Sequence, residues 1–71
     1  SDHMIRDIEL DSNNTAWMAS NNGLIKFTEN GELTSILFRD GIYQNVIIDI
    51  SIDTENTLWI ATDFGMIRFK E

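Results

Sequence analysis

Residues 53–69, Asp-Thr-Glu-Asn-Thr-Leu-Trp-Ile-Ala-Thr-Asp-Phe-Gly-Met-Ile-Arg-Phe, repeat an earlier stretch, residues 11–27, Asp-Ser-Asn-Asn-Thr-Ala-Trp-Met-Ala-Ser-Asn-Asn-Gly-Leu-Ile-Lys-Phe. The offset is 42 residues without a gap, and it extends upstream to positions 5 and 47. Of the 23 pairs from 5/47 to 27/69, 11 are identical, whereas unrelated segments of average composition would share about one or two. A repeat of this period is typical of solenoids and propellers.

Each copy contains short apolar runs separated by turn residues, and no segment has a sustained helical period. The run that opens the second copy is rich in β-branched residues, which indicates a strand nearly buried on both faces. We predict three strands in each copy and a fourth in the first copy only, at residues 5–10, 16–19, 24–27, 33–38, 46–52, 58–62 and 66–69.

The residues between the first two strands of each copy are typical of tight hairpin turns. Asn14 and Asn56 occupy positions where the backbone needs a positive φ, which asparagine tolerates. Asp11 and Asp53 are expected to cap these turns by accepting hydrogen bonds from nearby backbone N–H groups. A glycine before each third strand is expected to supply a similar special dihedral in the next turn.

Four short antiparallel strands in about 42 residues are typical of a propeller blade. The predicted fold class is therefore all-β, with about one and three-quarter four-stranded β-propeller blades. Residues 5–45 form the first blade and its connecting loop, and residues 46–71 form a partial second blade. Residues 1–4, Ser-Asp-His-Met, are interpreted as an expression scar.

Composition excludes several classes of function. The chain has 71 residues, a net charge of −7 and only five basic residues, so neither nucleic acid nor an anionic membrane surface is an expected partner. It has no cysteine, no cluster with metal-ligand spacing and no phosphate-binding or dinucleotide motif. We therefore expect no disulfide, no metal, no cofactor and no catalytic residue in this segment.

The pattern Asp-x-x-x-x-Leu-Trp-Ile-Ala-Thr-x-x-Gly-Met-Ile-Arg-Phe at residues 53–69 resembles the two-component regulator propeller repeat. Residues 40–46 resemble the loop that precedes each such repeat. The chain departs from the family pattern where Asn14 and Asn56 replace a turn glycine, where Ala19 and Ala61 replace a strand glycine, and where Tyr43 replaces a proline.

The resemblance implies a sensory propeller on the periplasmic side of a membrane-anchored hybrid two-component system. In that family a histidine kinase follows the membrane segment, and the ligand is often a glycan fragment. The resemblance therefore predicts a non-catalytic piece of an extracytoplasmic sensor that binds an oligosaccharide. Two alternatives remain open: a propeller enzyme, such as a lyase or glycosidase, and a protein-interaction scaffold, against which the lack of Trp-Asp signatures counts.

Candidate ligand residues follow from antiparallel geometry, since the loops after the second and fourth strands share one end of a blade. That end is predicted to carry Arg39, Tyr43, Gln44 and Phe64, together with neighbouring turn residues. Trp17 and Trp59 are alternative sugar-stacking residues, but their mid-strand position favours a place in the core between blades.

The acidic side chains have a structural explanation as well. Asp7 and Asp49 stand early in the first strands, and the turn aspartates come from different blades, so calcium binding is disfavoured.

Two blades alone leave outer apolar faces uncovered and the edge of the third strand near Ile67 unpaired. The sequence thus predicts self-association through exposed blade faces and edges.

Overall fold

The computed structural model describes residues 4–21, 23–36, 47–63 and 65–71. These ranges contain seven strands in two antiparallel sheets, with strand orders β1-β2-β3-β4 and β5-β6-β7. The strands are β1 (Ile5–Leu10), β2 (Ala16–Ser20), β3 (Gly23–Phe27), β4 (Leu33–Ile36), β5 (Ile47–Ile52), β6 (Leu58–Thr62) and β7 (Gly65–Phe69). The prediction of an all-β antiparallel fold is confirmed. The ends predicted at residues 37, 38 and 46 lie outside the described residues.

The predicted turn residues have the predicted backbone conformation. Asn14 and Asn56 adopt φ values of 62° and 64°. Gly23 and Gly65 have φ values of 111° and 128°, where a residue with a Cβ atom would be strained. The turns therefore depend on residue types that the sequence itself identifies.

The two sheets share one strand register. A bulge interrupts the pairing of β1 with β2 between Ile5 and Asp7, and the same bulge recurs between Ile47 and Asp49. Residues 42 positions apart therefore lie on equivalent faces of their sheets. The face around Trp17 or Trp59 is here named the indole face. Across the first three strands of each sheet it carries Asp7, Glu9, Trp17, Ala19, Leu24 and Lys26 in the first sheet and Asp49, Ser51, Trp59, Ala61, Met66 and Arg68 in the second.

The opposite face of each sheet, here named the aliphatic face, is almost wholly apolar. It carries Ile8, Leu10, Ala16, Met18, Ile25 and Phe27 in the first sheet and Ile50, Ile52, Leu58, Ile60, Ile67 and Phe69 in the second. Side chains alternate between the two faces along each strand, so every sheet has one indole face and one aliphatic face.

The core lies between the sheets, where the indole face of the first packs on the aliphatic face of the second. The fully buried apolar residues are Trp17, Ala19, Leu24, Ile47, Ile50, Leu58 and Ile60. The rings of Trp17 and Phe69 meet edge to face, with centroids 5.8 Å apart and planes at 69°. Such an aromatic contact adds to the stabilisation from buried area.

Two predictions about burial are wrong in part. The first strands are not buried on both faces: β1 has no fully buried residue, and Ile48 and Ser51 of β5 are exposed. The reason is that, among the described residues, each sheet is covered on one face only, by the other sheet. Trp17 lies in the core as predicted, but 38% of Trp59 is exposed because no other described sheet covers the indole face of the second sheet.

Candidate functional site

Asp11 holds the turn between β1 and β2 and the Trp17 indole through three hydrogen bonds. Its Oδ1 accepts the backbone N–H groups of Asn13 and Thr15 at 2.8 and 3.0 Å, and its Oδ2 accepts the Trp17 indole N–H at 3.0 Å. Burial tends to raise the pKa of Asp11, but these bonds outweigh it and hold the pKa below its usual value. The predicted turn cap is confirmed, and the same carboxylate also fixes the orientation of the indole ring.

Asp53 makes the equivalent bonds in the second sheet. Its Oδ1 accepts from Glu55 N–H and Thr57 N–H at 2.9 and 3.0 Å, and its Oδ2 accepts from the Trp59 indole at 3.0 Å. The bond from Trp59, followed by those from the backbone, lowers the pKa of Asp53. The aspartate and tryptophan six residues apart thus form one structural unit that occurs twice.

A cation lies over each indole. Lys26 Nζ is 5.6 Å from the centroid of the Trp17 ring, and Arg68 Cζ is 5.9 Å from that of Trp59. Both distances are within the range of cation–π attraction. Lys26 also forms an ion pair with Glu71, which follows β7 of the second sheet. Both cations therefore belong to the indole faces, and Lys26 is already paired with an anion.

A small cleft of about 220 Å³ opens at the turn end of the seam. It is lined by Asp11, Asn13, Trp17, Glu55, Asn56, Lys70 and Glu71. Its volume is below the roughly 300 Å³ at which ordinary small-molecule pockets begin. Because the indole of Trp17 is already packed between the sheets, the cleft offers no free aromatic face for stacking on a sugar ring.

Three carboxylates approach each other where β1 meets β5. Ile50 N–H donates to Asp7 Oδ2 at 3.1 Å and to Asp49 Oδ1 at 3.0 Å. Burial alone would raise the pKa of Asp7, but hydrogen bonds from the Ile50 N–H and the Asp49 carboxyl group lower it overall. The negative charge of Asp7, with a smaller effect of burial, raises the pKa of Glu9. Within the described residues no group of three or more His, Cys, Asp or Glu side chains has the geometry to hold a metal ion.

The predicted ligand residues Arg39, Tyr43, Gln44 and Phe64 all lie outside the described residues. Their assignment therefore stays a prediction. Of the neighbouring turn residues, Asn21 exchanges two hydrogen bonds with Met4 at 3.1 and 3.2 Å, so it closes the start of β1. The antiparallel order places this turn at the opposite end of the sheet from the Asp11 turn and the cleft.

Two sheet faces expose apolar side chains, and the sequence-based prediction gave them little weight as a site. Trp59 and Met66 are exposed on the indole face of the second sheet, and Ile8, Leu10 and Phe27 on the aliphatic face of the first. The signal for them was present in the sequence, because each uncovered residue is the repeat counterpart of a covered one. The sequence predicted that two faces would be exposed, but it did not show which side chains of the two faces complement each other.

Comparison with protein-family models, curated proteins and solved structures gave no significant match. The resemblance to the two-component regulator propeller repeat therefore stays a prediction that depends on the quoted residues. No helix in the described part of the chain has the length and apolarity needed to cross a bilayer. Any functional conclusion must come from the repeat and its packing.

Proposed function

We propose that this chain supplies one blade and most of a neighbouring blade of a sensory β-propeller in an extracytoplasmic receptor of a two-component system. Its own role is non-catalytic: it forms part of the wall of a ligand-binding ring. The signal, on this proposal, passes to a histidine kinase encoded elsewhere in the same longer protein. The expected ligand is an oligosaccharide.

One observation supports the propeller above all. The indole face of one repeat packs on the aliphatic face of the next, and each repeat has both faces. A unit with two different, complementary faces can be added to itself in one direction, which is how repeat proteins extend. An isolated pair of sheets would gain no stability from repeating, on its outer faces, the residues that form its internal interface.

The acidic composition agrees with a role outside nucleic-acid and membrane-surface binding. The described residues offer an aspartate and a tryptophan in each repeat, but both are held by structural hydrogen bonds. A ligand site would therefore be assembled from loops of several blades. In this chain the loop at residues 39–45 and Phe64 are the proposed contributions.

A glycan array with the longer protein that carries this segment tests the proposal. We expect binding of an oligosaccharide without cleavage, and we expect Arg39→Ala and Tyr43→Ala to weaken it. Glu55→Ala, in the turn between β5 and β6, is the matched control and should bind normally. Cleavage of the glycan would favour the enzyme alternative, and absence of any glycan binding would contradict the ligand class.

A further inference from the structure

We propose that the indole face of the second sheet binds the aliphatic face of the first sheet in a second copy of this chain. The association is head to tail, so it uses two different surfaces of each copy. It repeats between molecules the packing that joins the two sheets within one molecule. The proposal depends on the observed repeat and does not require the sensor role.

Both surfaces are exposed, while their repeat counterparts are buried. Leu24 is fully buried in the internal interface, whereas its counterpart Met66 is 68% exposed. On the other side, Ile50 is 2% exposed and its counterpart Ile8 is 57% exposed. Apolar residues in these positions gain free energy when water is removed from them.

The aromatic contact and a partly buried polar contact of the internal interface have matched counterparts. Within one chain the ring of Trp17 meets that of Phe69; between chains Trp59 would meet Phe27 of the second copy. Within one chain Asp7 accepts the Ile50 N–H at 3.1 Å. Between chains Asp49 would accept the N–H of Ile8 of the second copy.

The polar rim is matched too. Ser12 N–H donates to Asn56 Oδ1 at 3.1 Å, and Asn56 Nδ2 donates to Ser12 Oγ at 2.6 Å. Their counterparts are Thr54 and Asn14, which retain a hydroxyl and an amide.

The ion pair at the rim also has its counterpart. Lys26 pairs with Glu71 across the internal seam. The residues 42 positions away are Arg68 and Glu29, a cation and an anion again. Each counterpart residue thus keeps the chemistry that the internal contact uses, which is why the occupant is another copy.

One position is less well filled. Leu58 is buried in the internal interface, and its counterpart on the aliphatic face of the first sheet is Ala16. The intermolecular interface therefore buries less apolar area there. Ala16→Leu restores the larger side chain, and we expect it to lower the dissociation constant of association by about tenfold.

Sedimentation equilibrium of the full chain, from about 1 µM to 1 mM, tests the proposal with two single variants. Met66→Lys blocks the indole face of the second sheet, and Ile8→Lys blocks the aliphatic face of the first. Each residue is exposed within one chain, so the fold should persist, which near-ultraviolet circular dichroism of the packed Trp17 checks. Each variant alone should raise the dissociation constant by about 30-fold or more.

Mixing the two variants gives the deciding result. Each retains the face that the other has lost, so an equimolar mixture should form a one-to-one dimer that neither forms alone. The unmodified chain should form a closed ring or a growing stack, because a head-to-tail contact leaves one free face at each end until it closes.

Several results would overturn the proposal. A chain that stays monomeric up to about 1 mM has no such interface. Self-association of Ile8→Lys alone would mean that like faces pair, and association unaffected by either variant would point to pairing through the edge of β7 instead. A mixture of variants that stays monomeric would exclude the head-to-tail contact.

Discussion

Trp17 and Trp59 have the same neighbours along the chain but different environments. Each donates its indole N–H to an aspartate six residues earlier at 3.0 Å, and each lies beneath a cation. Yet Trp17 is 1% exposed and Trp59 is 38% exposed. The difference teaches that the repeat encodes local hydrogen bonds twice, whereas burial depends on whether another sheet lies against the face.

The largest expected difference comes from removing the two indoles. Trp17→Ala should lower the free energy of unfolding by roughly 3–5 kcal/mol, because it leaves a cavity between the sheets. Trp59→Ala should cost less than about half of that in dilute solution, where its face is in contact with water. Urea unfolding followed by far-ultraviolet circular dichroism measures both. Equal losses at low concentration would mean that the face of Trp59 is not free.

A smaller difference is expected for the aspartates that hold the indoles. Asp11→Ala removes two turn bonds and the bond to the buried Trp17, and should cost roughly 1.5–3 kcal/mol. Asp53→Ala removes the same set of bonds at an exposed position, so its loss should be smaller. Thermal unfolding of the two variants under identical conditions gives the comparison. A larger loss for Asp53→Ala would contradict the assignment of the core to the first indole face.

The turn asparagines should differ by about 1 kcal/mol. Asn14→Gly keeps the positive φ at little cost, and within the described residues it removes no side-chain hydrogen bond across the seam. Asn56→Gly also keeps the φ but loses the two hydrogen bonds to Ser12 across the seam, each worth about 1 kcal/mol at most. Urea unfolding in dilute solution should rank Asn56→Gly as the less stable. The difference in stability between the two variants should become smaller at concentrations where copies associate.

The smallest effect concerns pH and the carboxylates of the first strands and of the turns that follow them. The lowered pKa values of Asp7, Asp11 and Asp53 stabilise the fold above the ordinary value of about 3.9, and this stabilisation is lost as pH falls through the lower folded values. Glu9 has the opposite sign. Its raised pKa means that its charge destabilises the fold at neutral pH, and protonation relieves this as pH falls.

Glu9→Gln tests that sign directly, and Ser51 already occupies the equivalent position of the second sheet. At pH 7 the variant should have a slightly higher melting temperature than the unmodified protein. This advantage should disappear as the pH falls and Glu9 of the unmodified protein becomes protonated. Melting temperatures measured across pH 3–8 are the readout. A lower melting temperature at pH 7 would show that the Glu9 charge is not repelled by Asp7.

Much of the fold was predictable because local residues specify it. The positive φ of Asn14 and Asn56, the capping by the turn aspartates and the seven strands within the described residues all follow from turn chemistry and alternation. The candidate site was less accessible to prediction. The double role of Asp11 depends on a hydrogen bond between a turn and the middle of the next strand, which alternation alone does not indicate.

The sequence by itself determined the 42-residue repeat, the strand register that repeat imposes and the two chemically different faces of each sheet. Only the tertiary structure decided that the indole face of the first sheet is covered while that of the second is open. The physical reason is that strand periodicity is a property of neighbouring residues, whereas the removal of water from a face requires a second surface that covers it.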